Sequence, residues 1–205
     1  MNELSSHGWI TENILLEVNQ QSSEEIVISE FDSLFKEISN QEGNDWRLMS
    51  AIAYHESRFK PEVSSPVGAT GLMQVMPRTA EQFGVSREDL WDVETNITVG
   101  NMVFKKITQM LKLPESTSTE DKLSLYLAAY NGGVGHIFDA QRLARAHGEN
   151  PYSWSVVSHY LKLKGQPQYY NHEVVKCGRF SGSGETLAYV DKVMRHYNHY
   201  CSIAQ

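Results

Sequence analysis

Apolar residues recur at helical spacing through most of this chain of 205 residues, and strand-type alternation is weak throughout. Phe31, Leu34, Phe35 and Ile38 form the first stripe, opened by Ser29 and Asp32 in the manner of a capping box. Asn40-Gln41-Glu42-Gly43-Asn44 breaks it, and Asn44 or Asp45 can cap a second helix that ends around Ser57. Pro61, Pro66, Gly68 and Gly71 leave no room for a regular element before Leu72, and glycines there imply a backbone that something approaches closely. Pro77 suits the first turn of a helix running to Gly84. After Asp92 a long amphipathic helix uses Ile97, Val99, Met102, Val103, Ile107, Met110 and Leu111, and Pro114 closes it.

Cap residues at 116–119 lead into a helix through Leu123, Leu125, Leu127, Ala128 and Ala129, which stops at Tyr130-Asn131-Gly132-Gly133. Val134 to Ala146 makes another, and Trp154 to Leu161 a short one. Residues 165–184 read as loop, and Thr186 to Tyr200 closes the chain with Leu187, Val190, Val193, Met194 and Tyr197 at helical spacing. The expectation is an all-α protein with one core. Residues 1–28 alternate short apolar groups, Trp9, Ile10, Ile14, Leu15 and Val18, with polar runs that build no core, and read as a tail or linker to a domain at 29–205.

Read backwards from Glu56, apolar residues fall at Ala53, Ile52 and Met49, on one helix face, so Glu56 sits on the buried stripe. Lost hydration and a position near the helix C-terminus both raise a carboxyl pKa. A carboxylic acid that stays protonated near neutral pH can act as a general acid, which makes Glu56 the first candidate for chemistry.

Charge narrows the partners. A formal charge of −7 and a pI near 5.6, with no basic stripe, argue against nucleic acid. No run of about 18 apolar residues exists, and the opening residues lack a secretory signal pattern, so they leave localisation open. Cys177 and Cys201 match no zinc or redox spacing; they either pair or stand as small apolar residues. His172, His196 and His199 offer no third ligand at a zinc spacing, so no metal and no cofactor are expected. Tyr152, Trp154, Tyr169 and Tyr170 either stack on sugars in a groove or pack half-buried against the core.

Three ordered clusters, Glu56-Ser57, Gly71-Leu72-Met73-Gln74 and Ala128-Ala129-Tyr130-Asn131-Gly132-Gly133, together resemble the soluble-lytic-transglycosylase-like, goose-lysozyme-related catalytic domain of peptidoglycan lytic transglycosylases. The resemblance runs from about Phe31 to Tyr200, and Phe31 to Lys36 with Asp45 to Leu48 look most like the membrane-bound lytic transglycosylase F branch. It implies a lysozyme-like fold. In that branch a solute-binding-like module precedes the catalytic domain, so residues 1–28 would be its remnant.

The activity implied is cleavage of the β-1,4 bond between N-acetylmuramic acid and N-acetylglucosamine without water, leaving 1,6-anhydromuramoyl ends on peptidoglycan glycan strands. The motif offers one carboxyl where most glycosidases use two, since Glu62 and Glu81 fall in a loop and on an exposed helix. Glu56 would then serve as acid and afterwards as base. By resemblance, Gln74 binds sugar amide and hydroxyl groups, or else satisfies loop backbone. Ser65 places the reacting sugar, or is a turn serine. Met73 and Met76 are apolar walls, or core.

Tyr130 puts its phenol near Glu56 or the leaving oxygen, or is a core aromatic. Asn131 binds substrate, or serves only a turn in left-handed geometry. Glu185, in the family's pattern with Tyr189 on the last helix, contacts substrate, or is a first-turn acid favoured by the helix dipole. Leu187 and Ala188 stand where many relatives carry an arginine. The rival readings are a hydrolytic muramidase on the same scaffold and a non-catalytic peptidoglycan-binding module. Family membership implies the periplasm and the outer membrane, with membrane association only through segments absent from this chain.

Overall fold

A computed structural model describes residues 26–204. The expected tail at 1–28, with Trp9, Ile10, Ile14, Leu15 and Val18, lies outside the described residues up to residue 25; Ile28 packs against the core. In chain order the helices are α1 (Asp32–Glu42), α2 (Trp46–Ser57), α3 (Pro77–Ala80), α4 (Val93–Leu111), α5 (Thr119–Gly132), α6 (Val134–Ala146), α7 (Trp154–Leu163), α8 (Pro167–Tyr170) and α9 (Ser183–Ile203). Among the described residues the only extended pairings are isolated bridges, Ser64 with Thr70 and Thr70 with Val75, so the class is all-α. No described helix is long and apolar enough to cross a membrane.

Local chemistry sets the helix ends. Asp45 caps α2 by accepting from the Arg47 N–H, and its carboxylate also receives the Tyr197 hydroxyl at 3.0 Å, tying the start of α2 to the far end of α9. Asp92 caps α4 and Ser118 caps α5 in the same way. The first helix begins later than the capping-box reading has it: the Asp32 carboxylate receives the N–H groups of Ile28 and Ser29, and the helix starts at Asp32 itself. The segment after Pro77 tightens into a 3₁₀ turn at Glu81–Phe83 before Gly84, because Gly84 takes a left-handed cap. Two short elements escape the periodicity, a 3₁₀ turn at Asp89–Trp91 and α8 within the expected 165–184 loop. Both are too short to show a hydrophobic period.

The core gathers Phe35, Met49, Ile52, Leu72, Met73, Leu90, Ile97, Leu125, Leu127, Ile137 and Leu143, all shielded from water. On α4 the buried face is turned from the one that the pattern indicates: Met110 is 42% exposed, and the positions that go inside include Asn96, Gly100, Asn101 and Phe104.

Beyond the core lies a buried ion pair. Lys164 and Asp139 are both fully buried, with Lys164 Nζ donating to Asp139 Oδ2 at 2.6 Å and to His136 Nδ1 at 2.8 Å. Arg142 also donates to Asp139, as do the backbone N–H groups of Lys176 and Cys177, each at 2.8 Å. These donors hold the Asp139 pKa down at about 2 against its burial. The cluster pins the 171–180 loop to α6. Cys177 and Cys201 are free thiols: Cys177 lies against Gly135 of α6, whereas Cys201 neighbours Tyr197 on α9.

Removing one partner of a buried pair leaves an uncompensated charge. Asp139→Ala should therefore lower unfolding free energy by about 3–5 kcal/mol, and adding Lys164→Met in the same chain should recover most of the loss. Urea denaturation of the single and double variants measures both.

Candidate active site

The last turn of α2 presents Glu56, and its stripe lies beneath it as the spacing indicates: Met49, Ile52 and Ala53 are fully buried. Tyr130 of α5 and Tyr189 of α9 close over the carboxyl from two sides, and each phenol is pushed well above its usual pKa by burial first and by the charge of Glu56 next. The Glu56 pKa is raised to about 7. Burial is the cause; a hydrogen bond from Tyr189 opposes it and is the weaker influence. Among the described residues, no second carboxylate acts on the group. The Tyr189 hydroxyl is itself buried without a well-aligned partner, so it remains available to Glu56.

The third wall is the loop from Val63 to Met76, which α4 holds in place. Asn96 Oδ1 accepts from the Met73 N–H at 2.8 Å, and its Nδ2 donates to Thr70 O at 3.0 Å and Leu90 O at 2.8 Å. Gly71 has φ +77, and a Cβ there would collide with the Asn96 side chain and stand 2.9 Å from Leu90 O. Glycine is required on both counts. Gly100 gives the matching space to the Met73 side chain. The Tyr130 hydroxyl donates to Met73 O at 3.0 Å and so binds this loop to α5.

Three of the expected site residues thus come together, Glu56, Tyr130 and Tyr189, and Gln74 directly follows Met73, whose carbonyl Tyr130 engages. Gln74 has φ +47, and its Nε2 donates to Val63 O and Gly71 O, both at 3.0 Å. The loop therefore takes both of its amide protons, and the carbonyl oxygen is what it can offer to a ligand. Ser65 Oγ accepts from Ala69 N at 3.0 Å, within the turn before Thr70. Met76 is 40% exposed at the start of α3, while Met73 is core.

Asn131 is not left-handed. It lies in the last turn of α5, Gly133 takes the positive φ of +89, and the Asn131 side chain receives the Thr186 hydroxyl at 2.8 Å, fastening α5 to α9. Glu185 is exposed in the first turn of α9. Immediately after Ser57, Arg58 and Phe59 both adopt positive φ, of 57 and 59, and the chain leaves the helix end sharply. Glu62 and Glu81 are exposed, as the pattern indicates.

Several groups that shape the site carry only faint sequence signals. Asn96 is a polar residue on the apolar face of α4, and Asp139 and Lys164 are charges within buried faces; none belongs to a motif. No group of three or more His, Cys, Asp or Glu among the described residues could hold a metal. Trp154 and Tyr169 pack against the core, and Trp154 lines a groove of about 590 Å³ with Leu123, Leu187, Val190 and Met194, a lining that does not include Glu56.

Comparison with known proteins matches residues 33–153 to the Transglycosylase SLT domain, a stretch that contains Glu56, Gln74 and Tyr130 and stops before α9. The chain is 34% identical over 168 residues to membrane-bound lytic murein transglycosylase F of Marinobacter nauticus, covering 82% of this chain and 32% of that protein. It is 36% identical over 172 residues to the protein of the same name from Shewanella frigidimarina, covering 84% and 34%. The chain thus spans about a third of the length of these curated relatives.

Among solved structures it resembles the 70 kDa soluble lytic transglycosylase SLT70 from Escherichia coli, with a TM-score of 0.58 and 26% identity over 83% of this chain and 24% of that one. The complex of the 70 kDa soluble lytic transglycosylase with bulgecin A gives 0.54 and 26%, over 84% and 24%. The expected all-α, lysozyme-like class is the one observed.

A raised carboxyl pKa fixes the sign of a stability effect. Between the ordinary value of 4.5 and about 7, folded Glu56 keeps a proton that the unfolded chain has lost, so its contribution to stability falls as pH rises through that window. Glu56→Gln should therefore be more stable than wild type above pH 7, by on the order of 2–3 kcal/mol, with the gap closing toward pH 4.5. Denaturation midpoints across that range read it. Gly71→Ala should cost about 2–4 kcal/mol by the same measurement, through positive φ and the collision with Asn96.

Proposed function

Since the chain belongs to the Transglycosylase SLT domain family, we propose that it cleaves peptidoglycan glycan strands at the β-1,4 bond between N-acetylmuramic acid and N-acetylglucosamine, without water, leaving 1,6-anhydromuramoyl ends. One observation carries the reading: a single carboxyl, protonated up to about pH 7 by burial, faces two phenols, and among the described residues no second carboxylate acts on it. A lone carboxyl has to serve both halves of the reaction.

In the first half, Glu56 gives its proton to the glycosidic oxygen as the bond to the muramic acid carbon breaks. The sugar's acetamido group steadies the positive charge at that carbon. Glu56 is now a carboxylate in a dry site, and the Tyr189 hydroxyl is the donor positioned to stabilise it. In the second half, the muramic acid C6 hydroxyl attacks the same carbon and its proton returns to Glu56. Acid and base are one group in two states, and the cycle closes with Glu56 as it began.

Binding falls to the surrounding elements. Gln74, its nitrogen bonded to loop backbone, offers its carbonyl oxygen to a sugar amide or hydroxyl donor; to Ser65, Met76, Asn131 and Glu185 we assign further contacts with the strand. Tyr130 sets the spacing between the loop and Glu56 through its bond to Met73 O. The polymer lies in the periplasm, which is where we place the activity. The relatives are named membrane-bound, and we assign association with the outer membrane to segments outside this chain.

Glu56→Gln should lower turnover by several orders of magnitude, about 10³-fold or more, with folding retained. Mass spectrometry of digested sacculi should show muramic ends lighter by one water than those of a hydrolase. Reducing ends would mean a muramidase, and binding without release would mean a recognition module. A Gln variant with near wild-type turnover refutes the assignment of Glu56.

A further inference from the structure

Two side-chain hydrogen bonds join the end of α2 to α9, and one of them involves Glu56. The other is made by His55, its neighbour in the chain. Tyr189 and His196 fall on one face of α9, about two turns apart. Tyr189 meets Glu56, and His196 Nδ1 lies 2.9 Å from His55 Nε2.

The proton count in this second contact is limited. His196 Nδ1 also lies 3.1 Å from the Lys192 carbonyl oxygen. An N–H on His196 Nδ1 reaches both acceptors, provided that His55 presents the lone pair of Nε2. A proton added to His196 at Nε2 leaves that arrangement intact. A proton added to His55 at Nε2 points one N–H at another, and the bond is lost.

The surroundings oppose that second proton. The His55 ring meets the rings of Tyr54, His196 and Tyr189 at centroid distances of 5.3, 4.7 and 6.4 Å. The Tyr54 ring is in turn covered by the Arg58 guanidinium at 4.3 Å and by His196 at 4.7 Å. Tyr200 stands 6.0 Å from His196, and the carboxylate of Asp32 on α1 acts on Tyr200. The charges acting on His55, those of His196, Arg58 and Lys192, are cationic. With burial, the largest influence, they hold its pKa at about 4 against the small opposing effect of the Lys192 backbone.

Resting on the function proposed above, we infer that His55 and His196 are positioning residues: their hydrogen bond holds Tyr189 of α9 against the Glu56 carboxyl and opens when both rings are imidazolium, with an N–H on each of the two facing nitrogens. A consequence separates this pair from the carboxyl. Glu56 as acid requires its proton, so Glu56 alone gives a rate that falls above about pH 7 and is level below it. The histidine pair adds an acid limb near pH 4.

The test uses His196→Gln, whose amide oxygen accepts from a protonated His55. Release of anhydro product is measured against pH, each protein normalised to its own maximum. Imidazole and Tyr189 ring signals are followed by NMR in the same samples. In wild type the rate should fall about tenfold for each pH unit below the limb's midpoint, and the Tyr189 signals should shift with the titration of His55. In the variant the limb should move down by about one unit or more, His55 should titrate at higher pH, and the Tyr189 shift should vanish.

An acid limb absent from wild type, unmoved in the variant, or coincident in both proteins with loss of near-ultraviolet circular dichroism overturns the inference. If no anhydro product forms at any pH, the proposed function has failed. The NMR signals then decide alone: a Tyr189 shift tied to His55 and lost in the variant supports the coupling, and its absence overturns it.

Discussion

Folding takes one carboxyl largely out of water and, among the described residues, brings no cation to act on it, and the rest of the molecule is arranged around that constraint. The last turn of α2 carries Glu56 over Met49, Ile52 and Ala53, all fully buried, so the charged form loses hydration that the one hydrogen bond from Tyr189 replaces only in part. Arg58 is close in sequence, but its guanidinium lies on the Tyr54 ring and it is not among the influences on Glu56. The group responds by keeping its proton. Tyr130 and Tyr189 belong to the same arrangement, because two phenols can face a neutral acid without penalty and one can donate to it once it ionises.

Holding a polar group in a dry place demands rigid walls, and each wall is fixed by bonds well away from the carboxyl. Asn96 of α4 engages Thr70, Met73 and Leu90 at once, which leaves the 70–74 loop one geometry and Gly71 as the residue that fits it. Asn131 and Thr186 join α5 to α9. On the far side of α6, the Asp139 and Lys164 pair anchors the 171–180 loop, and Phe180 at its end reaches Gly132 in the last turn of α5. The supports of the site are therefore buried hydrogen bonds, whose loss on substitution is felt as displacement as much as destabilisation.

The long helices were legible in the sequence because periodicity and caps agree there: Asp45, Asp92 and Ser118 mark starts, and Gly43 and Gly133 mark ends. Glu56 was legible for the same reason, as a charge on an apolar stripe. Tyr189 and Tyr130 came from ordered motifs, and no periodicity shows that two phenols converge on one acid from separate helices. Met110 on α4 misled because the inward face also takes in Asn96, Gly100 and Asn101, small or polar residues that an apolar stripe does not count. Asn96, Asp139, Lys164 and the His55 to His196 bond stayed out of sight because each acquires meaning from a partner far along the chain.

The most direct test of this account is a titration of the Glu56 carboxyl itself, followed through its side-chain carbonyl carbon by NMR in selectively labelled protein. The midpoint should lie at about 7, and Tyr189→Phe, by removing the hydrogen bond that opposes burial, should move it higher. A midpoint at the ordinary value of 4.5, indifferent to Tyr189, would contradict the account at its centre.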